Sequence, residues 1–296
     1  MERTAAGVRA DWGVYVKLIR DGSEVALNAD APMDTMSVIK VPLLLELHRQ
    51  ADEGAVNLDA RITLCPEHRR FGTGVLSLLG DGLEFSLRDA ATLMIVQSDN
   101  AATDLCFAAV GGPGAVDELM RSLGLDSIRA LGTAFDWFSA LAASMDPALG
   151  GLDPAELFAA GYPPLGAEEL AAARAAFHFG GGPAFGLCSA RDLGTLLELC
   201  SRGEAASPAV CDRVLGTLRL QQHRSRIPRY LINARCAHKT GDFEPFIAND
   251  VGIIEPASGE PAIVVFLNGG HSGIWENLEK AVARMAEQVW LHAAAS

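Results

Sequence analysis

Apolar and polar positions alternate near the two ends of the chain and follow a helical period in its middle. Residues 12–19 form an apolar, β-branched run, Asp21-Gly22-Ser23 reads as a turn, and residues 24–28 return, which predicts a hairpin. Residues 246–254 and 261–268 are strand-like runs joined by a Pro/Ser/Gly turn at 255–260. In residues 274–295, Ile274, Leu278, Ala281, Met285 and Val289 fall near one face, predicting a long helix. Between the ends, residues 37–50 are apolar all round and predict a buried helix. Residues 87–97 and 101–110 predict helices flanking a polar corner, and 114–123, 189–202 and 208–222 follow, with Gly203 as a stop signal.

The simplest topology joins the terminal strands in one antiparallel sheet, covers it with the last helix, and inserts a helical region between them. The expected class is therefore α+β, with a sheet domain from residues 1–34 and 230–296, a helical domain from 35–229, and a cleft between them. Residues 141–186 read least clearly. Their Gly180-Gly181-Gly182-Pro183 lacks the strand–helix frame of a phosphate cradle and reads as a loop.

Composition narrows the function classes. With 296 residues, 49% of them hydrophobic and 21% charged, the chain has the makings of one large domain or two interlocked ones. Its formal charge of −13, without any dense Lys/Arg run, argues against nucleic-acid and anionic-membrane partners. The apolar run at 14–19 is too short for a signal core or a membrane span, so a soluble, cytoplasmic protein is expected. Cys65, Cys106, Cys188, Cys200, Cys211 and Cys236 have irregular spacing and no C-x-x-C pair, which reads as free thiols rather than disulfides. The histidines show no H-x-x-H or H-E-x-x-H spacing, so neither zinc nor another cofactor is expected.

Three segments carry candidate chemistry. In Ser37-Val38-Ile39-Lys40, a helix opening at Ser37 puts Lys40 one turn later on the same face. A serine needs a base to become a nucleophile, and a lysine serves only when burial or a neighbouring cation keeps it neutral. Alone, the segment reads equally as a capping serine and a surface lysine, but Val38, Ile39, Val41, Leu43, Leu44 and Leu45 place Lys40 in apolar company. Ser98-Asp99-Asn100 is a polar corner between helices that also suits a helix cap. Lys239-Thr240-Gly241 sits beside strand-like sequence, where a glycine lets a substrate backbone lie close.

In this order, S-x-x-K, S-D-N and K-T-G, the chain resembles the penicillin-recognising serine enzymes, the class A β-lactamases and penicillin-binding proteins. The resemblance runs over nearly the whole chain: the first hairpin and Met36–Pro42, then Gln97–Asp104, Ser189–Leu193 and Asn249–Gly252. It looks closest to the cytoplasmic-seeming serine hydrolases of the beta-lactamase enzyme family. It implies that Ser37 is the acylated nucleophile, Lys40 its base or proton relay, and Ser98 the donor to the leaving nitrogen. It implies that Asn100 holds a substrate amide, that Lys239 stabilises neutral Lys40 and Ser98, and that Thr240 contacts a substrate carboxylate or carbonyl. The backbone N–H groups of Ser37 and Asp242, beside Gly241, would form an oxyanion hole. Such donors are worth on the order of 3 kcal/mol each. The implied substrate is a small amide, lactam or ester.

The chain departs from the pattern twice. No glutamate with the expected frame for activating the deacylating water occurs between Asn100 and Ser189. The comparable stretch, Thr133–Leu141, holds Trp137, and the acidic residues Asp136, Glu156, Glu168 and Glu169 do not fit. Three outcomes follow: another group such as Lys40 or Asp136 activates water, an amine or alcohol takes the acyl group, or the chain is a non-catalytic binding protein. The second departure is Asp242 directly after Gly241. Near Lys239 it would offset positive charge and weaken recognition of anionic penicillins relative to neutral amides or esters, unless Arg224, Arg226 or Arg229, otherwise a solvated basic stretch, restores that charge. His238 is expected to be structural or surface, and Trp275 and Trp290 to pack in the core.

Overall fold

Strands from both ends of the chain meet in one five-stranded antiparallel sheet, in the order Glu24–Leu27, Asp11–Leu18, Ala262–Gly269, Ile247–Pro256, Ala234–Phe243. The computed structural model describes residues 1–161, 166 and 184–295. Asp11–Leu18 pairs with Ala262–Gly269 in a register that sets Val14 opposite Phe266 and Val16 opposite Val264.

The two-residue period of these strands explains why both faces are buried. Trp12, Val14, Val16, Leu18, Val264 and Phe266 pack beneath the terminal helix Trp275–Ala295, against Leu278, Val282, Met285 and Ala286. Tyr15, Ile263, Val265 and Leu267, one step out of phase, join the larger core that continues into the helical region. Each fully buried apolar side chain contributes roughly 1.5–3 kcal/mol. Trp275 and Trp290 are partly buried against the sheet-side core, as expected.

The helical region centres on Lys40–Asp52, whose residues 40–48 are all buried. Leu87–Val96, Asn100–Val110 and Pro208–Leu218 pack around it. The expected helix 37–50 is therefore real but opens with a tighter 3₁₀ turn, Met36–Ile39. Helices Pro113–Ser122 and Ala190–Arg202 match the other expected segments within a few residues.

Two elements were not legible. The edge strand Ala234–Phe243 carries His238, Lys239, Thr240 and Asp242, and this polar content masks its strand pattern. The helix Ala134–Met145 is Ala-rich and is defined by a capping box in which Thr133 and Asp136 exchange hydrogen bonds. Met33–Asp34, Gly186–Cys188 and Arg129–Ala130 form a second, very short sheet. It ties the entry to the turn holding Ser37 to residues 129–130 and 186–188. The expected loop Gly180-Gly181-Gly182-Pro183 lies outside the described residues. All six cysteines are free thiols, four of them buried.

Candidate active site

The turn that presents Ser37 is braced from several sides. Met36 lies in the left-handed region at φ 42°, a conformation that costs a non-glycine residue about 1–3 kcal/mol. The Asp34 carboxylate accepts from the Met36 N–H at 2.8 Å, and the Asn249 side chain donates to the Asp34 carbonyl at 2.8 Å. Burial pushes the Asp34 carboxyl up to about 7. Ser37 is half-buried and lines a cavity of about 330 Å³.

Lys40 opens the helix behind Ser37 and is fully buried. Its Nζ donates to the Ser98 carbonyl at 2.7 Å, the Ser98 hydroxyl at 3.1 Å and Asn100 Oδ1 at 2.9 Å. Burial, then the charge of Lys239, lowers its pKa well below the ordinary lysine value, while Asp99, Asp104 and Asp242 pull the other way.

Ser98 is a second left-handed residue, at φ 54°. Asp99 after it caps the helix Asn100–Val110 through Ala102 N at 3.0 Å, and its other oxygen accepts from Val75 N and Leu76 N. The capping reading of the polar corner is thus correct for Asp99, while Ser98 turns toward the lysines. Asn100 is held by Lys40 at one end and donates to the Phe71 carbonyl at 2.8 Å from the other.

The edge strand supplies the third side. Lys239 is fully buried, and its Nζ donates to the Ser98 hydroxyl at 3.0 Å and the Thr240 carbonyl at 2.8 Å. Burial lowers it to about 7, against the charges of Asp242 and Asp250. Gly241 is required by close approach: a Cβ there would stand 2.6 Å from the Thr35 carbonyl oxygen and 3.2 Å from Ser37 N. The strand backbone therefore lies directly against the turn that presents Ser37.

Thr240 follows Lys239 on the edge strand. Its hydroxyl is buried without a hydrogen-bond partner, and Thr240 is not among the described residues lining the cavity. Arg226 departs from the expected solvated stretch. It is 4% exposed, donates to the Asn249 carbonyl at 2.7 Å, and ion-pairs with Asp242, with Glu279 at 3.3 Å. Arg229 meets Glu276 at the surface. Asp242 acts on Lys239 electrostatically, as expected, but its direct partner is Arg226. His238 is buried, facing Asp250 at 2.9 Å, in a structural setting.

Sequence reasoning missed the opposite wall. Ala134, Trp137, Phe138 and Phe185 line the cavity together with the strand residues Asp242 and Phe243 and the following Glu244. Trp137 meets Phe243 edge-on at 5.3 Å between ring centres. The wall is fixed by Asp104, which accepts from Ala134 N at 2.7 Å and Phe135 N at 3.0 Å while pairing with Arg70 at 2.5 Å. Thr73 donates to the Ser98 carbonyl at 2.7 Å. The expected alternative water activator Asp136 is instead an exposed capping residue, bonded to Thr133 N and Oγ1 at 2.8 Å. Glu156 likewise caps Pro154–Ala160 with Asp153, and Glu168 and Glu169 lie outside the described residues. Among the described residues no His/Cys/Asp/Glu cluster could hold a metal, and no helix is long and apolar enough to cross a membrane.

The profile of the beta-lactamase enzyme family matches residues 1–293. Beta-lactamase L2 of Stenotrophomonas maltophilia is 29% identical over 125 residues, 40% of this chain and 38% of that protein. The extended-spectrum beta-lactamase PER-1 of Pseudomonas aeruginosa is 25% identical over 42% of each. The chain thus spans about two fifths of the length of the curated relatives it matches. A beta-lactamase structure from Sphaerobacter thermophilus superposes with a TM-score of 0.77 over 100% of this chain and 97% of that one, at 24% identity. A PBP-A variant, solved as an acyl-enzyme complex with penicillin G, gives 0.76 over 98% and 93%, at 20% identity. These superpositions establish the fold.

Proposed function

The chain belongs to the beta-lactamase enzyme family, and on that premise we propose that it is a serine hydrolase cleaving an amide, lactam or ester through an acyl-enzyme on Ser37. The observation that carries the reading is the pair of fully buried lysine amines converging on Ser98 beside the cavity that Ser37 lines. A lysine beside a second cation and out of water is a neutral-base candidate.

In the proposed sequence, Lys40 accepts the Ser37 hydroxyl proton as Oγ attacks the carbonyl. The N–H groups of Ser37 and Asp242 stabilise the oxyanion, which the close packing at Gly241 brings together. The Ser98 hydroxyl, accepting from both lysines, gives its proton to the leaving nitrogen or oxygen and recovers one from the Lys40 side. Asn100 orients the substrate amide. No cofactor enters the proposed reaction.

Acyl transfer is a second reading with its own support. Among the described residues, the wall opposite the strand is apolar, and the cavity carboxylates of Asp242 and Glu244 lie on the strand side. An acyl-enzyme facing such a wall reacts slowly with water and is open to an amine or alcohol. We also propose a cytoplasmic location, which the six free thiols support; fractionation of native cells tests it.

Intact-mass spectrometry after exposure to benzylpenicillin, nitrocefin and p-nitrophenyl phenylacetate tests the reaction, with Ser37→Ala as control. A covalent adduct that the control lacks supports the enzyme. Ligand binding undiminished in Ser37→Ala, with no adduct and no turnover on any probe, supports a binding protein instead.

A further inference from the structure

The buried cation that pairs with the edge strand, Arg226, is already neutralised from within the protein. Arg226 is buried behind Ala234–Phe243, and the Asp242 carboxylate is its ion-pair partner. Glu279 adds a second carboxylate at 3.3 Å, and the guanidinium lies over Trp275 at 5.5 Å from the ring centre. Asp250 also lies close enough to act on Arg226 electrostatically, and it binds Ile227 N and faces His238. Three carboxylates thus surround this one guanidinium.

Lys40 and Lys239 are fully buried and donate to Ser98, Asn100 and the Thr240 carbonyl, while Arg224 is exposed and is not among the described residues lining the cavity. The charged side chains that line the cavity, among the described residues, are Asp242 and Glu244. The rest of the lining is largely apolar, with Met36, Trp137, Phe138, Phe185 and Phe243 around the polar Ser37, Thr73, Ser98 and Asn100. A substrate carboxylate placed against this strand would meet the like charge of Asp242 and Glu244, and none of the described residues lining the cavity is a cation.

We infer that Asp242 sets the substrate class: the site takes amides or esters that carry no carboxylate beside the scissile bond, with an aromatic or bulky apolar acyl group against Trp137 and Phe243. The side chain of Asp242 lines the cavity and at the same time pairs with the buried Arg226. Its N–H still faces the reacting carbonyl, so one residue serves the reaction through its backbone and selects through its side chain. This inference rests on the acyl-enzyme reading given above.

The test is a pair of probes that differ only in charge, benzylpenicillin and its methyl ester, with p-nitrophenyl phenylacetate as a neutral reference. Acylation rates of the full chain are read by intact mass. The ester is expected to acylate about tenfold faster than the acid or more, the sign that like charge repels the carboxylate. In Asp242→Asn the acid should gain about tenfold relative to the ester, because like charge lining the cavity is removed and Arg226 is left less neutralised. In Asp242→Asn/Arg226→Gln, where the total charge of the pair is kept, that gain should disappear. A wild-type preference for the acid overturns the inference whether or not the variants fold. An acid-to-ester ratio unchanged in a folded Asp242→Asn also overturns it. Absence of an adduct with all three probes defeats the acyl-enzyme reading itself, and the inference falls with it.

Discussion

Lys40 and Lys239 hold their amines 3.1 and 3.0 Å from the same oxygen, the hydroxyl of Ser98. A serine hydroxyl has two lone pairs and one proton. With both lone pairs taken by the lysines, the proton is left to point away from them, toward the cavity that Ser98 lines. Ser98→Ala removes this common acceptor and leaves both amines short of a partner. Acylation is expected to fall by about a hundredfold or more, the usual scale of a lost proton-transfer group. The measurement is the rate of adduct formation by intact mass, with a thermal melt to show that the variant is folded.

The two lysines also predict a pH profile. Burial, then the charge of Lys239, depresses Lys40 well below its ordinary value, so the neutral amine that the base role needs is reached at lower pH than for an ordinary lysine, and acylation falls as acid protonates it. Lys239, lowered to about 7, loses its charge as pH rises through that value, and the support it gives to Ser98 weakens. The expected kcat/KM curve is bell-shaped with its basic limb near 7. Lys239→Arg keeps a cation at all working pH values, so its basic limb should move up by more than one unit even where the maximum rate drops. A basic limb that stays in place in this variant would assign it to another group.

The parts of this molecule that were legible in the sequence are those where one physical demand dominates. Trp12, Val14 and Val16 alternate with Tyr15 because a strand buries its two faces in different cores. Ile274 was placed within one residue of the terminal helix, which begins at Trp275. The extent of the edge strand Ala234–Phe243 is harder to read, because Lys239 and Thr240 interrupt its apolar rhythm and leave only a strand end legible. Thr73 and Arg70, and the place of Trp137 on the cavity, are hidden for a different reason. They reach the site through tertiary packing, by way of the Ser98 carbonyl, Asp104 and Phe243, and nothing local in the sequence marks those partners.

Gly241 should tolerate no side chain. An alanine Cβ there would press on two backbone atoms, Thr35 O at 2.6 Å and Ser37 N at 3.2 Å, neither of which can swing aside. Gly241→Ala is expected to destabilise the fold by about 1–3 kcal/mol as the strand and the turn are forced apart. The same displacement separates the Ser37 and Asp242 N–H groups, so acylation should drop by about tenfold or more in protein that remains folded. Urea unfolding and acylation kinetics on the same preparation separate the two effects. Wild-type kinetics in this variant would show that the two N–H groups do not act together.

Asp34 predicts how stability depends on pH. One oxygen accepts from Met36 N, while the other is buried without a partner. Burial raises its folded pKa to about 7, well above the ordinary aspartate value. The native state therefore keeps a proton that the unfolded chain gives up at lower pH. The contribution is fully present below about pH 4 and is lost as pH rises toward 7, an upper-bound change of about 4 kcal/mol. Asp34→Asn has no proton to lose. Urea melts at pH 5 and 7.5 should show wild type weakening relative to Asp34→Asn at the higher pH. Parallel behaviour of the two proteins would place the titration elsewhere.

The apolar wall predicts what happens after acylation. Ala134, Trp137, Phe138 and Phe185 face the strand across the cavity, and the Asp104 carboxylate behind them is committed to Arg70, Ala134 N and Phe135 N. Asp136 is engaged in capping, so it has no free role in activating water. Among the described residues the cavity carboxylates are Asp242, paired with Arg226, and Glu244 on the strand side, and on that lining we expect an acyl group on Ser37 to react slowly with water. With p-nitrophenyl phenylacetate, a burst of nitrophenol about equal to the enzyme concentration should precede a slower steady state. Hydroxylamine should speed the steady phase by about tenfold or more and leave the burst unchanged, because it acts after the acyl-enzyme has formed. Mass decay of the isolated adduct, followed with and without hydroxylamine, checks this directly. Rapid decay in buffer alone would mean that water is activated efficiently, contrary to what this wall allows.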